Sequence, residues 1–287
     1  MQWKFYITCI LLIICHNLGC IDAQDIKRGI LETHIYRTSV KGPKLKKLKV
    51  YLPANYYNNH ESYPVIYLLH GANGNEQSWV EKGEVLKDID SLVKHNIIDD
   101  YIYVFPNTNR YYHEYDYIMS RPKGSIESYL DLNGSTEYSF IEDIITYIDN
   151  NFRTIPLKQY RAIAGLSLGG LQSLYISANS ERTFGHVGLF SPLIYPPPTL
   201  GIHSYIYRDI ERKLKKQFAD ETLNYMIMIG KDDPYYRSVH QYCEFLKQQG
   251  YNIQFIPTYG GHSWDNWKNY SIIFLKSFKN RLSEKTQ

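Results

Sequence analysis

The residues Gly165-Leu166-Ser167-Leu168-Gly169 place a serine between two glycines, each two positions away. The apolar run Ala162-Ile163-Ala164 precedes them, and a helical stretch, Leu168–Ala178, follows. On a strand–turn–helix junction such a serine sits in a strained conformation that lifts its hydroxyl above the sheet, and side chains two residues away would collide there. The five-residue pattern alone is weak, because glycine at about 7% of residues produces it by chance. Its setting strengthens it, and Gly170 lets the helix lie close to neighbouring strands.

A serine hydroxyl is a poor nucleophile without a base, and the base needs an orienting acid. On a turn of this kind the chain order is serine, acid, histidine. The histidines after Ser167 are His186, His203, His240 and His262. His186 enters the next strand too early for an acid to precede it. His203 lies in a proline-led insertion, and His240 sits inside a helix on its solvent side. His262 stands in the loop Gly260-Gly261-His262-Ser263-Trp264, after one apolar run and before the last helix, and has both the order and the setting. The acid comes from Gly230-Lys231-Asp232-Asp233-Pro234, where two adjacent carboxylates leave another apolar run. One helix and one strand fit between residues 233 and 262, which brings both loops to one edge of a sheet. Asp233 is favoured; Asp232 is the alternative, and the carboxylate not used would cap the following helix.

The oxyanion of an acyl-transfer intermediate needs two backbone N–H donors. Leu168, next to the serine, supplies one. The loop His70-Gly71-Ala72-Asn73-Gly74 supplies the other, expected from Ala72, with His70 as a structural hydrogen-bonder rather than a second base.

The elements that must position these residues are short apolar runs: Val65–Leu69, Tyr101–Phe105, Ala162–Ala164, Val187–Phe190, Tyr225–Ile229 and Ile253–Ile256. They read as buried parallel strands. Helical patterns lie between and after them, over Tyr138–Asn151, Asp209–Phe218, Arg237–Gln249 and Trp264–Leu282. The alternation predicts an α/β fold, a mostly parallel central sheet with helices on both faces, and chemistry at the carboxyl ends of the strands. Lys41, Lys44, Lys46, Lys47 and Lys49 interleave with Leu45, Leu48 and Val50, the pattern of an exposed edge strand with a solvated lysine face.

A chain of 287 residues suits one large domain. A formal charge of +3 is too small to suggest a nucleic-acid or membrane-surface binder. The 28 tyrosines suit surfaces that grip sugars or aromatic groups, with compositional drift as the plain alternative. Residues 1–23 read as a secretory signal peptide, with Lys4 before the apolar run Ile7–Cys15 and cleavage expected after Ala23. Cleavage before Cys20 would instead give a lipid-anchored protein, although Asn17 fits a lipoprotein box poorly. Either route makes the protein exported (periplasmic, secreted or lipid-anchored), and residues 24–287 form the single domain. Cys243, at helical spacing with Val239 and Leu246, reads as core. No histidine–carboxylate cluster has metal-ligand spacing and no glycine loop cradles phosphate, so neither metal nor cofactor is expected.

Four ordered segments carry a resemblance: Tyr67–Gly71, Tyr160–Gly170, Gly230–Asp233 and Gly260–Trp264. The chain resembles the putative esterase family of α/β hydrolases, which includes the carbohydrate esterase family 1 feruloyl and acetyl-xylan esterases, enterochelin-type esterases, S-formylglutathione hydrolase and the mycolyltransferases. The resemblance runs from about residue 30 to the end. It implies a serine esterase, with the acid last in a G-x-x-D pattern and therefore Asp233. Leu168 replaces the methionine common after the serine and leaves the backbone donor intact. A leader argues against S-formylglutathione hydrolase, a cytosolic enzyme. The segments Pro106–Glu137, with Tyr111, Tyr112, Tyr115, Tyr117 and Tyr129, and Pro192–Tyr207 are positioned to form the acyl and alcohol pockets. Their aromatics fit a carbohydrate-linked feruloyl or acetyl ester, or simply pack the loops. Asn107, Tyr111 and Tyr112 are candidate substrate contacts. The rival readings are an acyltransferase with an alcohol acceptor, a siderophore esterase and a non-catalytic carbohydrate-binding relative.

Overall fold

The computed structural model describes residues 27–40, 45–108, 136–194, 209–220 and 223–284. Its strands are β1 (Ile30–Arg37), β2 (Leu45–Leu52), β3 (Val65–Leu69), β4 (Ile102–Pro106), β5 (Arg161–Leu166), β6 (His186–Phe190), β7 (Asn224–Gly230) and β8 (Gln254–Thr258). They form one eight-stranded sheet in the order β1-β2-β4-β3-β5-β6-β7-β8. The β1–β2 and β2–β4 pairs are antiparallel, and every later pair is parallel. The helices are α1 (Ser78–Glu81), α2 (Val85–Lys94), α3 (Thr146–Asn151), α4 (Leu168–Ala178), α5 (Ile210–Phe218), α6 (Tyr236–Gln248) and α7 (Trp264–Glu284).

The parallel strands are apolar on both faces because helices cover both. Val65, Tyr67 and Leu69 of β3 pack on one side with Ile148 of α3, Leu171 of α4, Leu214 of α5 and Val239 of α6. Ile66 and Leu68 point the other way, into a second core with Val85 and Ile89 of α2 and Phe274 and Phe278 of α7. Each such fully buried side chain is worth about 1.5–3 kcal/mol, so the central strands form a firmly held frame.

Three features depart from the sequence reading. The lysine-rich segment is not the edge: β2 lies between β4 and β1, and β1, which was not anticipated, takes the edge. Strand β1 escapes a hydrophobic count because four of its eight residues are polar, and exposed positions alternate along it. Within β2, Lys46 is buried, its Nζ donating to Thr136 Oγ1 at 2.9 Å. Burial pulls its ammonium pKa down to about 8 against the opposing pull of Glu137. The helix expected over Tyr138–Asn151 is split into a 3-10 turn (Thr136–Ser139), a π-helical segment (Phe140–Ile145) and α3. Asp143, in the π segment, accepts hydrogen bonds from Ser139 Oγ at 2.6 Å and Thr38 Oγ1 at 2.7 Å. Finally, many tyrosines serve the core. Tyr36, Tyr67, Tyr101, Tyr103 and Tyr225 are buried, and Tyr67 packs edge-on to Phe140 and Phe184.

Candidate active site

Strand β5 ends at Leu166, and Ser167 follows as the residue that caps α4, with φ 54° and ψ −116°. That strain is held by hydrogen bonds on both sides of the turn. The Ser167 N–H donates to Phe190 O at 2.8 Å, and its carbonyl accepts from Leu193 at 3.0 Å. The glycines are sterically required. A Cβ on Gly165 would lie 2.5 Å from the Gly169 carbonyl carbon, and one on Gly169 would lie 2.6 Å from Leu69 O.

The acid–base partners arrive on the exits of β7 and β8. His262 Nε2 is 3.0 Å from Ser167 Oγ, and His262 Nδ1 is 2.8 Å from Asp233 Oδ2. An ionised carboxylate only accepts, so Nδ1 carries the proton, Nε2 is left as acceptor, and the serine hydroxyl donates to it. The other Asp233 oxygen accepts the Tyr235 N–H at 2.9 Å. The Asp233 side chain has no solvent exposure, and the His262 side chain retains 24%. Asp232, by contrast, is exposed on the same turn. Gly230 and Gly260 bring the two loops together, for a Cβ on Gly230 would fall 2.7 Å from the Gly260 carbonyl carbon.

Rings of Tyr235 and Trp267 flank the imidazole, with centroids at 5.3 Å and 4.9 Å and steep interplanar angles. Neither was singled out in the sequence. Trp267 could have been found, since it lies one turn into the helix that follows the histidine loop.

The Leu168 N–H, at the first position of α4, has no intrahelical acceptor. Ala72 lies exposed on the loop after β3, and that loop abuts the serine: a Cβ on Gly71 would come 3.3 Å from Ser167 Cβ. His70 is buried at 2% exposure. Burial pushes its imidazole down to about 4, so it is neutral at neutral pH. Asn107 is also buried, its amide donating to Glu76 Oε2 at 2.9 Å. Tyr111 and Tyr112, with Tyr115, Tyr117 and Tyr129, lie outside the described residues, as do Cys20 and the leader. Of the other histidines, His186 is buried in β6, His240 is exposed, and His203 lies outside the described residues. Cys243 is a buried free thiol. Among the described residues no cluster of histidine, cysteine and carboxylate side chains could hold a metal ion, and no helix is long and apolar enough to cross a membrane.

A nucleophile elbow on a mostly parallel, helix-covered sheet, with acid and histidine on the next strand exits, defines the class: an α/β-hydrolase fold. Residues 43–270 match the model of the family described as Putative esterase, and the chain belongs to that family. It is 27% identical over 253 residues to an endo-1,4-beta-xylanase/feruloyl esterase of Xylanibacter ruminicola, an alignment covering 85% of this chain and 31% of that protein. The chain thus spans about a third of that relative's length. It is 26% identical over 239 residues to an acetyl esterase of Caldicellulosiruptor saccharolyticus, covering 73% of this chain and 81% of the relative. Among solved structures, a CE1 ferulic acid esterase from the anaerobic fungus Anaeromyces mucronatus superposes with a TM-score of 0.73 at 22% identity, over 90% of this chain and 94% of that one. An S-formylglutathione hydrolase from Staphylococcus aureus gives 0.67 at 18% identity, over 88% and 97%. At these identities the superpositions speak for the fold.

Proposed function

We propose that the protein is an exported serine carboxylic-ester hydrolase acting on carbohydrate-linked feruloyl or acetyl esters. The observation that carries the mechanism is the hydrogen-bonded chain Ser167–His262–Asp233, at 3.0 Å and 2.8 Å. In this reading Ser167 Oγ attacks the ester carbonyl while its proton passes to His262 Nε2. Asp233 stabilises the resulting imidazolium and holds its tautomer. The oxyanion settles between the Leu168 and Ala72 N–H groups. His262 then returns the proton to the departing alcohol. In the second half, water gives a proton to the same nitrogen as it attacks the acyl-serine, and His262 passes that proton to the departing Ser167 Oγ as the acid is released.

The substrate class rests on the names of the two sequence relatives, a feruloyl esterase and an acetyl esterase. Export rests on the leader pattern in residues 1–23. Steady-state hydrolysis of p-nitrophenyl acetate, methyl ferulate and acetylated xylan by wild type and Ser167→Ala tests the chemistry. Wild type should cleave at least one ester, and Ser167→Ala should lose nearly all of that rate. A wild type inert on all three, or an active Ser167→Ala, overturns it. A mature protein whose amino terminus still carries residues 1–19 would overturn export.

A further inference from the structure

The loop from His70 to Gln77 leaves β3 and carries Ala72, whose N–H is the second oxyanion donor in the mechanism above. A trans peptide points its C=O and its N–H in opposite directions, so whatever holds the Gly71 carbonyl also aims the Ala72 N–H. That carbonyl accepts from His70 Nδ1 at 2.8 Å and from the Gly74 N–H at 3.1 Å. A carbonyl cannot donate, so Nδ1 carries the hydrogen and Nε2 is an acceptor. The Thr108 N–H, which can only donate, meets that Nε2 at 3.1 Å. Thr108 therefore selects the His70 tautomer that the Gly71 carbonyl requires.

The far end of the same loop is tied by the preceding residue. Asn107 Nδ2 donates to Glu76 Oε2 at 2.9 Å. Thr108 Oγ1 donates to Gln172 Oε1 at 3.0 Å, which links the pair to the helix that Ser167 caps. His70, Glu76, Asn107, Thr108 and Gln172 are all buried, whereas Ala72 and Asn73 between the two ties are exposed. The exposed tip thus lies between two buried polar ties, one at each end of the loop.

We propose that Asn107 and Thr108, the residues leaving β4, form a clamp that positions the oxyanion loop by gripping it at Glu76 and His70. They are positioning residues, acting on the substrate through the Ala72 N–H, and the proposal rests on the serine-esterase reading. The clamp should matter when charge develops on the carbonyl oxygen, and little for binding the uncharged ester.

The test is an exchange of partners. Asn107→Asp sets a second carboxylate against Glu76. Removing one oxyanion donor costs about 10²–10³ in kcat, so a misaimed donor should cost about 10- to 100-fold, with KM for p-nitrophenyl acetate nearly unchanged. The inhibition constant of a methyl trifluoromethyl ketone, which forms a tetrahedral oxyanion adduct, should rise by the same factor. The double variant Glu76→Gln/Asn107→Asp exchanges amide and carboxylate, rebuilds the bond with its direction reversed and should recover most of the rate. The clamp is overturned if Asn107→Asp keeps wild-type kcat, or if its loss lies in KM with ketone inhibition unchanged. It is equally overturned if a folded double variant stays at the reduced rate. Should the single variant fail to fold, the double variant decides alone by its kcat. Ser167→Ala, assayed alongside, separates the two ideas: if it stays active the serine reading fails, and if it is inactive while the clamp variants behave as wild type only the clamp fails.

Discussion

Replacing Asp233 by asparagine removes one charge and leaves the shape, so its effect can be worked out from the two bonds the side chain makes. One oxygen faces His262 Nδ1 at 2.8 Å and the other faces the Tyr235 N–H at 2.9 Å. An asparagine must turn its NH2 toward one of them. If the NH2 faces Tyr235, two donors oppose each other in a site with no solvent exposure, at a cost of about 1–3 kcal/mol. If it faces His262, Nδ1 must become the acceptor and the imidazole hydrogen moves to Nε2. A protonated Nε2 cannot take the Ser167 proton. The second arrangement keeps every hydrogen bond except the one catalysis needs, and it should therefore dominate.

The expected loss in kcat is about 10⁴-fold. This corresponds to about 5.5 kcal/mol of transition-state stabilisation at about 1.4 kcal/mol per decade. Thermal stability should barely change, because the fold keeps its contacts. Asp232→Asn is the control: its carboxylate is exposed, so kcat should stay within about twofold. Both variants would be assayed for p-nitrophenyl acetate hydrolysis at saturating substrate, with melting curves recorded in parallel. An Asp233→Asn variant holding more than about a tenth of wild-type kcat would refute the tautomer argument. So would an Asp232→Asn variant that falls as far.

Two further predictions concern stability. Gly230→Ala should cost about 3 kcal/mol or more in urea unfolding, because its Cβ would sit 2.7 Å from the Gly260 carbonyl carbon, and it should also lower kcat by spreading the Asp233 and His262 loops. Gly250→Ala, at φ 76° with nothing within 4 Å of its Cβ, should cost only about 1 kcal/mol and leave kcat alone; equal penalties would show that the contact does not matter. The buried phenols predict a steep alkaline limit. Burial raises the pKa of Tyr36, Tyr67, Tyr101, Tyr103 and Tyr225 well above the ordinary value. Stability from a raised pKa is intact below the unfolded value, near 10, and is lost above it as only the unfolded chain ionises, at about 1.4 kcal/mol per pH unit for each phenol. Five together drain about 7 kcal/mol per unit, enough to exhaust a stability of about 5–15 kcal/mol within about two units. Lys46, lowered to about 8, works the other way between about pH 8 and 10, since the unfolded chain then binds the extra proton. Above about pH 10 the tyrosinate absorbance of these five phenols should therefore rise together with the loss of far-ultraviolet circular dichroism, on top of the signal from tyrosines outside the core; all 28 phenols ionised in a chain still native at about pH 12 would contradict the burial argument.

The legible part of this molecule was the part written in short segments. Strand β3 coincides with the expected run Val65–Leu69, and α4 with the expected Leu168–Ala178. The turns bearing Ser167, Asp233 and His262 each announce themselves within five residues, because a strained turn or a strand exit needs glycine or a capping residue at a set offset. The structure brings these three side chains into one hydrogen-bonded chain. What stayed hidden depends on partners far apart in sequence. Strand β1 is held by pairing with β2 rather than by burying a continuous apolar run, and Lys46 looked solvated until Thr136, 90 residues on, came to meet it. From its place after a strand Asn107 reads as a substrate contact, whereas in the fold its amide donates to Glu76, 31 residues earlier. Sequence periodicity records which side of an element faces the core, but it carries no record of which buried polar group meets which. Side chains that hold a site rather than perform its chemistry therefore surface only when the chain is folded.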